Sequence, residues 1–228
     1  MIQATQVSKQ FGAGESVVYA LKEVNLTIAP GEFVSITGPS GCGKTTLLHV
    51  LSGIEEPTSG KVHLQGKDLY GIRENERSDY RLKHTGFVFQ SFHLVPVLSA
   101  AENIALPLIG QGISAKQAAT TAEHALELVG LQGKGKARPS QLSGGQNQRI
   151  AIARAIVSRP AVLWADEPTG ALDSDTSQQI VGLLRQINLT LETTIVMVTH
   201  DTEVASQTDR VIRMVNGRIV TSSGQVAQ

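Results

Sequence analysis

Apolar and polar residues alternate from the start of the chain: Ile2, Ala4 and Val7, then Val17-Val18-Tyr19-Ala20-Leu21, then Val24, Leu26 and Ile28. A period of two marks half-buried strands, so Met1–Ile28 predicts antiparallel strands joined by a turn at Phe11-Gly12-Ala13-Gly14-Glu15. Ala29-Pro30-Gly31-Glu32 reads as a tight turn into an apolar strand, Phe33-Val34-Ser35-Ile36. Thr46-Leu47-Leu48-His49-Val50-Leu51 reads as the first turns of a helix, which Glu56-Pro57-Thr58-Ser59-Gly60 closes. A short strand, Lys61-Val62-His63-Leu64, leads to a hairpin turn at Gln65-Gly66-Lys67-Asp68. Residues Ile72–Leu82 are charged and predict a surface helix, and Gly86-Phe87-Val88-Phe89 predicts a buried strand ending at Gln90.

The character changes from Ser91 to about Ser140. Ala118, Ala122, Ala125, Leu126 and Val129 recur at helical spacing, so Ala115–Val129 predicts a helix with Ser114 as its cap and Gly130 as its stop. This stretch reads as a helical insertion in an α/β core. The core resumes with a helix at Gly145–Ser158, a strand at Ala161–Ala165, a helix at about Thr176–Asn188, and strands at Thr194–Val198 and Val211–Val215. Asn216-Gly217 is a hairpin signal leading to Arg218–Thr221, and the polar tail Ser222–Gln228 reads as loose. Alternating strands and helices imply a mostly parallel sheet, with an antiparallel edge expected from the N-terminal part.

Gly38-Pro39-Ser40-Gly41-Cys42-Gly43-Lys44-Thr45, between that strand and helix, fits the phosphate-loop pattern G-x-x-x-x-G-K-[ST] at every fixed position. Its glycines let successive N–H groups turn inward, and the helix N-terminus adds partial positive charge. Lys44 can then reach the β- and γ-phosphates, and the Thr45 hydroxyl can bind Mg²⁺.

The rest of the composition narrows the partners. Lys+Arg and Asp+Glu are 20 each, so net charge points to neither nucleic acid nor an anionic membrane. The single cysteine excludes an internal disulfide and a Cys-based zinc site, and suits the cytosol. As part of the phosphate loop, Cys42 is either a thiol whose alkylation would block nucleotide binding or a small residue that fits. No signal peptide is expected at Met1–Gln10 and no long apolar run is present, so a membrane role is expected through a partner chain.

Ala161-Val162-Leu163-Trp164-Ala165-Asp166 is an apolar strand ending in a carboxylate, with Glu167 next. Open α/β sheets put their ligands at that strand end, where Asp166 can hold Mg²⁺ and Glu167 can deprotonate an attacking water. Trp164 reads as core packing. Leu142-Ser143-Gly144-Gly145-Gln146 opens a second anion-binding helix start. One nucleotide does not need two such sites on one subunit, so this loop is expected to serve another subunit's nucleotide; a packing role is the alternative.

In this order, the phosphate loop, Gln90, Leu142–Gln146, Asp166-Glu167, Ala171-Leu172-Asp173 and His200 resemble the ATP-binding cassette (ABC) ATPases, from Val7 to about Val220. The resemblance implies an α/β P-loop NTPase (RecA-like) core with an N-terminal antiparallel β-subdomain and an inserted helical subdomain. Residues 1–90 and 141–228 would form core and β-subdomain, and about 91–140 the helical part. It implies Phe11 as the aromatic on adenine, with Tyr19 as its rival, and Gly38 to Thr46 (Gly38, Pro39, Ser40, Gly41, Cys42, Gly43, Lys44, Thr45 and Thr46) around the phosphates. Gln90 would touch Mg²⁺ or the attacking water and sense the transmembrane partner. Ser143, Gly144, Gly145 and Gln146 would close on ATP bound to the opposite subunit, Asp173 would reach across the dimer, and His200 would contact the γ-phosphate. The catalytic set is then Glu167, His200, Gln90 and Lys44, and the metal set Thr45, Gln90 and Asp166.

The implied cofactors are ATP and Mg²⁺; the implied partners are a second copy and a separate permease, with no nucleic acid and no span of its own. The expected location is cytoplasmic, peripheral to the inner face of the membrane. Phe89–Pro96, Glu102–Leu108 and Ala165–Asp173 are most similar to the lipoprotein-releasing, macrolide-exporter and antimicrobial-peptide-resistance branch. Asn147 and Thr45 are mild departures from the commoner Gln and Ser. A regulatory module with little turnover and a phosphate-loop kinase are the competing readings; the latter leaves the loop Leu142–Gln146 and His200 without a task.

Overall fold

A computed structural model describes residues 1–12 and 16–224. The chain forms β1 (Ile2–Phe11), β2 (Val18–Ile28), β3 (Phe33–Thr37), α1 (Lys44–Leu51), β4 (Ser59–Leu64), β5 (Lys67–Asp68), α2 (Glu74–His84) and β6 (Thr85–Val88). These are followed by α3 (Ala100–Gly110), α4 (Ala115–Leu128), α5 (Gly144–Ile156), β7 (Val162–Asp166), α6 (Ser174–Leu191), β8 (Thr194–Val198), α7 (Thr202–Ser206), β9 (Arg210–Val215) and β10 (Arg218–Gly224).

The strands divide into two sheets. One is antiparallel, in the order β2-β1-β4-β5, and the other has the order β10-β9-β3-β8-β7-β6. In the second sheet β9, β3, β8, β7 and β6 are parallel, and β10 alone is antiparallel. The antiparallel edge of the main sheet therefore comes from the C-terminal hairpin and not from the N-terminal part, which closes on itself as a separate sheet. The hairpin follows from Asn216-Gly217, both at positive φ (49° and 78°) as a tight primed turn requires. Ser222, Ser223 and Gly224 pair with Ile212, Val211 and Arg210, so this part of the tail is strand and not loose. Residues 225–228 and 13–15, the latter within the expected turn Phe11–Glu15, lie outside the described residues.

The parallel strands are apolar on both faces because each face covers a different core. Phe33, Leu163, Ala165, Ile195 and Met197 enter one cluster with α3, α4, α5 and α6. Their neighbours Val34, Ile36, Val162, Trp164, Val196 and Val198 enter the other, with α1 and the antiparallel sheet. The pleat, which sends successive side chains to opposite faces, makes this division. Trp164 is fully buried, as expected of a core residue. Cys42 is also buried and belongs to the second cluster, so it packs as a small apolar residue and the expectation of a reactive loop thiol is not supported. Full burial of such a Val, Leu or Ile is worth about 1.5–3 kcal/mol over exposure.

Several elements depart from expectation. β6 is the edge strand, so only Gly86 and Val88 are buried while Phe87 is half-buried and stacks on Phe89 at 4.3 Å. α3 was not legible from periodicity, because its apolar residues form no narrow stripe and it contains Pro107. It is set by its cap: Ser99 Oγ accepts from Glu102 N at 3.3 Å and Glu102 Oε2 accepts from Ser99 N at 2.7 Å. α7 has one turn, too short for a pattern, and is nucleated by Asp201, whose Oδ1 accepts from the N–H groups of Glu203 and Val204. The Ser114 cap and the Gly130 stop of α4 are as expected, with Ser114 Oγ accepting from Gln117 N and Gly130 at φ 71°.

Replacing Ser99 with Ala removes one half of a capping box and should cost about 1 kcal/mol of stability. Urea unfolding of Ser99→Ala against the parent checks this; an unchanged midpoint would show that α3 is held by packing alone.

Candidate functional site

β3, β8 and β7 are adjacent and parallel, so the loops after them meet at one sheet edge. Val198 pairs with Ile36 on one side and Asp166 on the other. Two further bonds continue the ladder past the strand ends: Thr199 N donates to Ile36 O at 3.2 Å, and Glu167 N donates to Val198 O at 3.0 Å. The phosphate loop, the pair Asp166-Glu167 and His200 are thus gathered by register.

The loop after β3 turns into α1 through Gly43, at φ 103°. A side chain there would meet Ala20 O at 2.2 Å, so the antiparallel sheet presses on the loop where only glycine fits. Lys44 is buried, and its ammonium donates to Gly38 O at 2.9 Å and Pro39 O at 3.0 Å. Thr45 Oγ1 donates to Asp166 Oδ1 at 3.1 Å. Burial raises the Asp166 carboxyl above its ordinary value, against the lowering effects of the Thr45 hydroxyl and of His49 and Lys44. A hydroxyl beside a carboxylate whose charge is poorly solvated is a donor set that fits a small hard divalent cation such as Mg²⁺. Ala20, Ser40, Gly41, Gly43, Lys44, Thr45, Thr46 and Glu167 line an open cavity of about 260 Å³.

Glu167 has a left-handed backbone, φ 47°, between Asp166 and buried Pro168. Its Oε2 lies 3.3 Å from His200 Nδ1. Glu167 and His200 also line a second cavity, of about 270 Å³, with Thr169, Gly170, Thr199 and Asp201 among its walls. Gln90 joins this group: a side chain at Gly170 would meet Gln90 Nε2 at 2.9 Å and Glu167 Oε2 at 3.2 Å. The Gln90 amide therefore lies on the Glu167 side of the site.

Other expected site residues lie elsewhere. Ser143 is the N-cap of α5, with Gln146 N donating to Ser143 Oγ at 3.3 Å and Ser143 N to Gln146 Oε1 at 3.1 Å. Gly144 and Gly145 follow, and none of Ser143–Gln146 lines either cavity. Asp173 caps α6, accepting from Thr176 N at 2.9 Å and from Thr176 Oγ1 at 2.7 Å, and these bonds lower its carboxyl below the usual value. The starts of α5 and α6 touch, since a side chain at Gly145 would meet Thr176 Cγ2 at 2.6 Å. Phe11 ends β1 half-exposed, with the Lys9 ammonium 5.1 Å from its ring centre. Tyr19 lines a separate cavity with Ser8, Lys22, Glu23 and Arg218.

Two residues of α5 escaped sequence reasoning. Arg154 donates to Phe92 O at 2.8 Å and His93 O at 2.6 Å, carbonyls of two consecutive left-handed residues just after Gln90. Gln148 is fully buried and donates to Pro168 O at 2.6 Å. A cation in the apolar run Ile150–Ile156 was the only available signal for the first; the second is one amide in a glutamine-rich turn.

A family model described as "ABC transporter" matches residues 21–170. The lipoprotein-releasing system ATP-binding protein LolD of Colwellia psychrerythraea is 42% identical over 219 residues, covering 96% of this chain and 85% of that protein. The macrolide export ATP-binding/permease protein MacB of Rhodopirellula baltica is 44% identical over 229 residues, covering 100% of this chain but 34% of that protein. A solved dimeric structure of the ATP-binding cassette MJ0796, in a post-hydrolysis state bound to ADP and Pi, superposes with a TM-score of 0.91 at 40% identity and full coverage of both chains.

Two stability measurements test the local physics. The fold disfavours ionised Asp166, so this carboxylate detracts from stability above its raised value and is neutral below the usual carboxylate range, about pH 3.9. Asp166→Asn keeps the acceptor for Thr45 and should melt higher than the parent at neutral pH without Mg²⁺, the gap closing towards pH 4; an equal gap at both pH values would refute the assignment. Gly145→Ala should cost about 1–3 kcal/mol by overpacking. The Thr176 methyl cannot rotate away without breaking the hydroxyl's bond to Asp173. Thr176→Ser, which keeps that hydroxyl and removes the methyl, should recover much of the loss in a double-mutant cycle; additive effects would exclude the contact.

Proposed function

This chain belongs to the ABC transporter family as an ATP-binding subunit, and from that premise we propose that two copies close around two ATP molecules and hydrolyse them to drive a separate membrane permease. The observation that carries hydrolysis is the Glu167–His200 contact at 3.3 Å, beside the Thr45–Asp166 pair at the same sheet edge.

Thr45 and Asp166, with Gln90, would hold Mg²⁺. When bound, the ion neutralises charge on the phosphoryl group being transferred. Lys44 exchanges the carbonyls of Gly38 and Pro39 for phosphate oxygens, so its desolvation is already offset before substrate arrives. Backbone N–H groups from Gly38 to Thr46 cradle the phosphates. Glu167 takes the proton of the attacking water at Oε2, a contribution of about 10²–10⁴-fold, and His200 orients that carboxylate and faces the γ-phosphate. This geometry also argues against a regulatory module with little turnover.

The cavity walls favour Phe11 over Tyr19 on adenine: Tyr19 lines a separate cavity with Ser8, Lys22, Glu23 and Arg218 and is absent from the walls around the phosphate loop. Ser143–Gln146 are absent from the walls of the cavity around their own chain's phosphate loop. That separation supports their closing on the nucleotide of the opposite copy, with Asp173 at the seam. The dimeric state of the MJ0796 cassette agrees.

Among the described residues no helix is long and apolar enough to cross a membrane. In the proposed reading the work is delivered through a separate permease, from its cytoplasmic side. We take residues about 91–140, with α3 and α4, as the helical subdomain that meets it. The likeness to LolD and MacB favours release or export from the membrane as the task.

Sedimentation of Glu167→Gln tests this reading: a monomer without nucleotide should become a dimer with ATP. Adding Ser143→Arg should leave nucleotide bound to the monomer and abolish the dimer. A mass indifferent to ATP in the presence of the permease, or normal turnover by Ser143→Arg alone, would overturn it.

A further inference from the structure

We infer that Gln148 is a positioning residue for Glu167, bracing from α5 the backbone that aims its carboxylate. This rests on the proposed reading of Glu167 as the base that activates water.

Glu167 is held in a left-handed conformation immediately before a proline. Residues before proline favour extended backbone, and a left-handed non-glycine residue persists only where its surroundings over-determine it. Three bonds do so here. Glu167 N donates to Val198 O at 3.0 Å, and Gly170 N donates to Glu167 O at 3.0 Å. Pro168 has no N–H, so its carbonyl is the one backbone group by which it can be held, and Gln148 Nε2 takes it at 2.6 Å. Gln148 reaches this carbonyl from a helix that packs in the apolar core through Ile150, Ile152 and Ala153. The brace is therefore fixed to a rigid element.

The other end of the amide shows that Gln148 is not a generic core choice. Its Oε1 is buried without a hydrogen-bond partner among the described residues, in a residue fully shielded from solvent. An unpaired buried carbonyl destabilises the fold, and leucine or methionine would avoid it. The amide is instead matched to one acceptor, the carbonyl that follows Glu167. α5 begins at the Ser143 cap, five residues before Gln148. One helix thus joins the loop proposed to close on the opposite copy's nucleotide to the base of its own site.

The test is a double-mutant cycle with Gln148→Leu and Glu167→Gln, scored by kcat, KM, ATP affinity and thermal midpoint. Gln148→Leu exchanges one unpaired buried carbonyl, Gln148 Oε1, for another, Pro168 O, so it should keep ATP affinity and a midpoint close to the parent's, and lower kcat by about tenfold to a hundredfold with KM little changed, as misplacement of a reacting group by about 1 Å would. In the Glu167→Gln background it should lower residual turnover no further and leave the ATP-dependent dimer in sedimentation. Unchanged kcat in Gln148→Leu, an additive loss in the double variant, or a parallel fall of affinity, midpoint and kcat would overturn the positioning role. Gln148→Met is the second variant, and loss of folding in both would assign Gln148 to packing alone. If Glu167→Gln by itself turns over like the parent, the base assignment is what fails, and the inference falls with it.

Discussion

The site depends on the register of three parallel strands. Val198 stands opposite Ile36 and Asp166 at once, and the ladder runs one bond further on each side, through Thr199 and Glu167. Parallel strands cannot slip by one residue without turning every side chain to the wrong face, and both faces here are committed to separate apolar cores. The cores therefore lock the register, and the register brings Thr45, Asp166, Glu167 and His200 to one line. Residues 121 positions apart in the chain, Thr45 and Asp166, come within hydrogen-bond reach by this means.

Polar groups at the ends of helices are matched locally and then tied together. Ser143 and Gln146 cap α5, Asp173 caps α6, and the two starts meet where Gly145 leaves room for the Thr176 methyl. A helix start with satisfied caps still directs its remaining N–H groups and its dipole outward. The cap geometry keeps Ser143 and Asp173 on a common surface without committing them to their own chain's phosphate-loop cavity. In the proposed dimer this surface is what the second copy completes.

α5 is the strut of this arrangement. Along one helix it carries the Ser143 cap, the Gln148 bond to Pro168 O and the Arg154 bonds to Phe92 O and His93 O. The last two hold left-handed corners two and three residues after Gln90, and the Arg154 guanidinium is buried enough that desolvation lowers its pKa. Non-glycine residues in that conformation are costly, and charge-assisted bonds to their carbonyls offset the cost. The loops on which the expected catalytic side chains stand are thus pinned by a helix that no catalytic motif names.

By itself the sequence determined what depends on local pattern. The phosphate loop, Asp166-Glu167 and the glycines Gly144 and Gly145 were legible because each needs particular residue types at fixed spacing on a strand–loop–helix frame. The strands at Phe33–Ile36 and Thr194–Val198 were legible because their apolar runs are bounded by turn residues, and α4 because it carries a 3.6-residue stripe, Ser114 and Gly130. Only the tertiary structure decided what depends on which elements are neighbours. The N-terminal strands form their own sheet, and the main sheet takes its antiparallel edge from β10, because pairing partners are chosen by burial and not by chain order. α3 was hidden by its uniform apolarity and Pro107, and α7 by its length. Gln148 and Arg154 took their meaning from carbonyls 20 and about 61 residues away, a relation that no local pattern encodes because a backbone carbonyl carries no sequence signature.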